Sequence, residues 1–365
     1  MARYRPPTAY KHGSAPKTGV LLTNLGTPDE PTPAAVKRYL RQFLSDPRVV
    51  EIPRVAWWLI LNGIILNTRP RRSARKYRLI WTAEGSPLKV HAERQTKMLA
   101  GYLYARGFRD VEVALGMRYG NPPIAHALDD LAGRGCDRIL VVPLFPQYAA
   151  STTGSAFDAV AQWSGATRNL PALDFMRNFH DHPAYIGALA QSVRQHWERE
   201  GGPADMLLMS FHGLPQFTLQ QGDPYHCECL KTARLIADAL GLADGAWRAC
   251  FQSRFGRTAW LKPYTTNTLA HLGPTGLGRL DIVCPGFVGD CLETLEEIAM
   301  EGKETYRAAG GGAFTYIACL NERDEWLHAL CDIVTPHLAA LARPPNRIGE
   351  RDAARGRALA LGATQ

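Results

Sequence analysis

A buried apolar run ends at a histidine in Leu207-Leu208-Met209-Ser210-Phe211-His212-Gly213-Leu214-Pro215, where Gly213 and Pro215 turn the backbone sharply. An imidazole at a strand end can accept a proton near neutral pH or ligate a metal, although a lone histidine is more often a satisfied structural residue. The segment Cys284-Pro285-Gly286-Phe287-Val288-Gly289-Asp290-Cys291-Leu292-Glu293 repeats the pattern. A strand ends at Cys284, Asp290 offers an N-cap, and Glu293 completes a capping pair for a helix running from Asp290 to Ala309. Glu293, Glu297 and Glu301 then fall on one face of that helix, with Glu304 nearby. Such a row is ordinarily a solvated face. Like charges one turn apart, with no cation before Lys303, could instead hand a divalent cation inward or carry protons outward.

A third feature is apolar. In Val55–Leu66 nearly every residue is apolar, but at ~1.5 Å per residue it reaches about 18 Å, short of a ~30 Å hydrocarbon core. It reads either as a buried core helix or, because Trp57-Trp58 sits beside Arg69, Arg71 and Arg72, as a lip touching a membrane surface or a large flat ligand. His180-Asp181-His182 lies at a helix start where Asp is expected as a cap, and Cys227-Glu228-Cys229 lacks zinc-site spacing and reads as free thiols. Neither G-x-G-x-x-G, a Walker A motif nor G-x-S-x-G occurs, which disfavours dinucleotide binding, P-loop chemistry and a serine-hydrolase elbow.

The elements that must position these groups alternate. Candidate strands at Gly19–Thr23, Val111–Leu115, Ile139–Phe145 and Ala172–Phe175 are interleaved with helical stretches such as Pro33–Leu44 and Ile124–Ala132. A second set, Met206–Phe211, Trp247–Gln252, Leu280–Cys284 and Phe314–Ile317, alternates with helices near Ala184–Glu200, Cys229–Leu240 and Asp290–Ala309. This predicts two α/β domains, each a parallel sheet wrapped by helices, over 18–176 and 177–342, with a flexible segment at 1–17 and a mobile tail at 343–365. Ligands of such sheets bind at the carboxyl ends of strands, where His212 and Glu293 fall.

The 365 residues carry a net charge of +8, concentrated in residues 1–17, 54–78 and 343–357. The remainder is acidic, so a basic groove tracking a phosphate backbone is disfavoured and no nucleic-acid partner is expected. Scattered cysteines and an opening without an apolar run read as a cytoplasmic protein with reduced thiols.

Together the motifs resemble those of ferrochelatases, which insert Fe(II) into a porphyrin. The resemblance is carried by Ser210–Pro215 (S-x-H-G-L-P), Gly222–Tyr225 (G-D-P-Y), Asp290–Leu295 (D-x-x-E-T-L), Asn24–Pro28, Gly85–Pro87, Arg118-Tyr119, Pro146–Gly154 and Gln252–Leu261, spanning about residues 18 to 340. It implies two similar Rossmann-like domains around a porphyrin cleft. His212 would be metal ligand or acceptor of pyrrole protons, Glu293 would face it, and Glu297 and Glu301 would continue as an acidic relay. Leu25, Arg69, Ser86, Arg118, Tyr119 and Trp260 would contact the porphyrin, and the lip around Trp57 would cap the cleft and rest on a membrane. Cys291 replaces a histidine that animal members carry. With no cysteine after Cys331, no iron–sulfur cluster of the animal C-terminal type is expected, nor any tightly bound cofactor, Fe(II) being a substrate. Enzymes of the family that use coproporphyrin tend to carry Tyr at the position of Leu25, and those for protoporphyrin Leu or Met, so protoporphyrin IX is the expected substrate. A coproporphyrin III enzyme, a cobalt or nickel chelatase for another tetrapyrrole, and a non-catalytic two-lobed tetrapyrrole- or metal-binding protein are the alternatives.

Overall fold

Short runs that are apolar almost continuously give each strand two faces to bury, and the chain answers with two sheets covered on both sides. The computed structural model describes residues 4–5, 12–256, 258–341 and 348–364. The first sheet contains β1 (Lys17–Thr27), β2 (Val111–Gly120), β3 (Cys136–Pro143) and β4 (Ala172–Phe175), in the order β2-β1-β3-β4. The second contains β5 (Met206–His212), β6 (Trp247–Gln252), β7 (Arg279–Val283) and β8 (Ala313–Tyr316), in the order β6-β5-β7-β8. All pairings are parallel, so the second lobe repeats the first strand for strand. In each, the order reverses beside the first strand, which places the crevice of each sheet at the carboxyl ends of β1 and β5.

The period-two alternation decides which core each side chain joins. Val20 and Leu22 on β1, and Leu207, Met209 and Phe211 on β5, face one shared core between the sheets. Leu21 faces an outer core of the first lobe, and Met206 and Leu208 face an outer core of the second. The lobes are further tied by the helix Asp324–Ala340. Its Trp326, Leu330 and Val334 lie in the shared core, and His337 pairs with Asp174 of β4 at 2.7 Å.

Three local expectations change. The helix predicted over Asp290–Ala309 is α-helical only at Leu292–Thr294 and Lys303–Ala308, with a π-helix at Leu295–Gly302 between them. Its cap is Cys291, paired with Thr294, rather than Asp290 paired with Glu293. The tail expected to be mobile contains a helix, Ile348–Ala360, which passes against Gly13. Its Ala and Arg residues are strong helix formers, and Glu350 in the first turn and Arg357 in the last suit the helix dipole. Residues 342–347, and most of the predicted flexible segment 1–17, lie outside the described residues.

The third concerns the lip. Arg54–Ile60 is α-helical, Leu61–Ile65 a π-turn and Leu66–Ile80 an α-helix. Trp57 is 6% exposed and its indole N–H donates to the Leu44 carbonyl at 2.6 Å, so it belongs to the core, whereas Trp58 is 62% exposed. The two readings of the segment divide between adjacent residues. Trp57→Ser should therefore cost about 3–5 kcal/mol of stability, the range for truncating a buried large aromatic. Trp58→Ser should leave the urea midpoint nearly unchanged; equal shifts for the two variants would refute this division.

Candidate active site

His212 closes β5, in register with Gln252 on β6. Its Nδ1 lies 2.7 Å from the Gly213 carbonyl. A carbonyl can only accept, so Nδ1 carries a proton, and of the two neutral tautomers this contact selects the one whose lone pair lies on Nε2, where it can take a proton or a metal. Gly213 is required here: a Cβ would lie 2.6 Å from the Gln252 carbonyl oxygen and 3.2 Å from the Trp260 ring. Trp260 thus packs against Gly213, the residue after the histidine, and its indole N–H is buried with no hydrogen-bond partner among the described residues.

The G-D-P-Y motif locks the lobes behind this histidine. Asp223 accepts from the Tyr225 N–H at 3.0 Å and from the Ala150 N–H of the first lobe at 2.8 Å. Glu228, buried on the helix Tyr225–Leu240, accepts from the Tyr148 N–H at 2.7 Å.

Glu293 is set by the loop before it. Buried Asp290 accepts from Thr294 Oγ1 at 2.9 Å, Tyr316 Oη at 2.5 Å and Asn321 Nδ2 at 2.7 Å, pinning the start of the helix. Along the π-helix, Glu297 accepts from the Ser253 N–H at 2.6 Å and its Oγ–H at 2.5 Å. Burial raises the Glu297 pKa, against the pull of Ser253 and of His212. Glu301 turns outward and pairs with Lys76 at 2.8 Å. Glu296, which its sequence position does not mark, is buried and pairs with the same Lys76, also at 2.8 Å. A cavity of about 260 Å³ behind the π-helix is lined by Glu297, Glu301, Glu304 and Thr265.

The remaining predicted contacts divide. Leu25, at the carboxyl end of β1, packs with Leu292 and Leu295 of the opposite lobe against the core that holds Trp57. Arg69 reaches across from the lip, its guanidinium 4.8 Å from the ring centre of Phe255. Burial lowers its pKa, and nearby Glu293 opposes that shift. Ser86 is buried and shares a 2.8 Å hydrogen bond with Thr27. Arg118 and Tyr119 are engaged internally: both donate to buried Asp46, at 2.6 and 2.8 Å, and Tyr119 is 1% exposed. Among the described residues, no three His, Cys, Asp or Glu side chains converge into a ready-made metal site.

Two repeated lobes, a bare imidazole nitrogen at the switch point of one sheet and a carboxylate-bearing helix beside it define a protein of the metal-chelatase class. The fold is similar to that of SirB from Bacillus subtilis with Fe3+, with a TM-score of 0.50, 12% identity and coverage of 87% of this chain and 94% of that one. It is also similar to DR2241 from Deinococcus radiodurans, with a TM-score of 0.50, 14% identity and coverage of 95% and 60%. The ferrochelatase family model matches residues 17–338. Ferrochelatases of Azoarcus sp. and Nitrosomonas europaea are 59% and 55% identical to the chain, each over 100% of both sequences. The chain belongs to the ferrochelatase family, enzymes that insert a metal ion into a porphyrin.

Proposed function

We propose that the chain inserts Fe(II) into protoporphyrin IX to form protohaem, releasing the two pyrrole protons. The observation that carries this reading is His212, whose Nδ1–H is tied to the Gly213 carbonyl so that Nε2 stays available at the strand end. Metalation needs a base for the N–H protons and a ligand set that the hydrated ion can exchange. A neutral imidazole supplies both, whereas carboxylates alone would trap the ion. The raised pKa of Glu297 suits it to take a proton from the centre, and the Glu301–Lys76 pair leads to the surface. Iron enters as a substrate, and the reading uses no resident cofactor. Leu25, Leu292 and Leu295 supply an apolar wall for vinyl groups. Purified protein supplied with Fe(II) and protoporphyrin IX should shift the Soret band to that of haem. Porphyrin binding without metalation would mark a binding protein, and turnover with cobalt or nickel alone would mark a different chelatase.

The same reading docks the lip on a membrane surface. No described helix is long and apolar enough to cross a bilayer, but Val55, Trp58, Leu59 and Ile64 are exposed beside Arg71 and Arg72. Each cation is worth about 1 kcal/mol near an anionic surface. Co-sedimentation with anionic vesicles should fall in Trp58→Ser/Leu59→Ser and again at high salt. Indifference to such vesicles at low salt would leave the lip as a cover for the cleft.

A further inference from the structure

One buried carboxamide joins the two halves of the candidate centre. Gln252, 3% exposed, closes β6 opposite His212. Its Nε2 donates to the Glu293 carbonyl at 2.7 Å, and its Oε1 accepts from Ser210 Oγ at 2.7 Å, two residues before His212. Its backbone carbonyl accepts from the Gly213 N–H at 2.8 Å, on the other side of that histidine. The amide can take only this orientation, because the Glu293 carbonyl can only accept.

We propose that Gln252 is a positioning residue that sets the separation of His212 and Glu293, holding both flanks of the imidazole with its backbone and Oε1 and the backbone of the carboxylate with Nε2. The proposal rests on the reading of His212 and Glu293 as the reacting pair. The side chain must donate on one side and accept on the other at the same reach, which a carboxamide does and an ionised carboxylate or a thioether does not. Among the described residues the hydrogen-bond partners of Gln252 beyond the strand ladder are Ser210, Gly213, Cys284 and Glu293, all in the second lobe and none in the lip, so its loss should disturb the reacting groups more than the walls that bind the ring.

The test compares Gln252→Met with Gln252→Glu, which keeps length and the acceptor for Ser210 but loses the donor to Glu293. Porphyrin affinity by fluorescence quenching and the KM for porphyrin should stay near wild type, while kcat falls about 10- to 100-fold, as for displaced reacting groups. A titration with Co(II) alone, read by its visible absorption, should show metal affinity reduced by about 10- to 100-fold, the usual effect of losing a partner that orients a ligand. If Gln252→Met fails to fold, the near-isosteric Gln252→Glu carries the same expectations. A folded variant with kcat and Co(II) affinity within about twofold of wild type would overturn the proposal, as would loss of porphyrin binding in proportion to kcat. Wild-type protein that metalates no porphyrin would instead overturn the proposed function, leaving the Co(II) comparison to judge Gln252 separately.

Discussion

His212→Ala is expected to abolish turnover while leaving folding and porphyrin binding largely intact. The strand that carries it is held by Leu207, Met209 and Phe211 in the shared core, and the imidazole itself is only partly buried, so its loss removes a reacting group rather than a packing contact. Glu297 does not stand in for it in the first proton transfer, because both of its carboxylate oxygens already accept from Ser253; in the proposed relay it takes the proton onward from His212. Glu293→Gln preserves shape and removes charge, and should cost at least ~100-fold, the low end of a general acid–base contribution. Steady-state Soret assays check both variants, with porphyrin fluorescence quenching as the binding control. A rate within a few-fold of wild type for either would end the assignment of that residue.

What could be read from the sequence follows what short-range physics controls. The eight strands were legible because a buried parallel strand must be apolar on both faces, and Ala172–Phe175 and Trp247–Gln252 are observed with the bounds their patterns predict. The strand-end placement of His212 followed from Gly213 and Pro215, whose backbone requirements are local. The π-helix was hidden, because Glu293, Glu297 and Glu301 keep the same four-residue spacing whether the ladder runs to the fourth or the fifth residue. Their divergence, with Glu297 inward on Ser253 and Glu301 outward on Lys76, is settled by partners more than forty residues away in sequence. Glu296 was missed for the same reason, since only tertiary pairing with Lys76 marks it. Trp57 and Trp58 share a composition and differ only in the direction each faces around the helix. Arg118 and Tyr119 could be singled out by motif, but their engagement with Asp46 is a long-range contact that local pattern does not contain.

Substrate choice tests the first lobe as sharply as His212 tests the second. Protoporphyrin IX, with two carboxylates and two vinyl groups, should be preferred over coproporphyrin III, with four carboxylates, by at least about tenfold in kcat/KM. The physical reason is the apolar wall proposed for Leu25, Leu292 and Leu295, which all pack against the core that holds Trp57 and whose side chains offer no hydrogen-bond donor. A carboxylate buried there without a partner costs a few kcal/mol, and each 1.4 kcal/mol is about one decade in affinity or rate. Direct competition between the two porphyrins, followed by product chromatography, measures the ratio without separate KM values. Two cations work against the preference: Arg71 and Arg72 are exposed on the lip, where extra carboxylates in another ring orientation could find partners. Arg69 is less available for that role, being half-buried over Phe255 and close enough to Glu293 to feel its charge. A preference for coproporphyrin III would therefore mean that the lip arginines, and not Leu25, decide which ring is accepted. It would leave the roles of His212 and Glu293 untouched, because both porphyrins present the same four nitrogens to them.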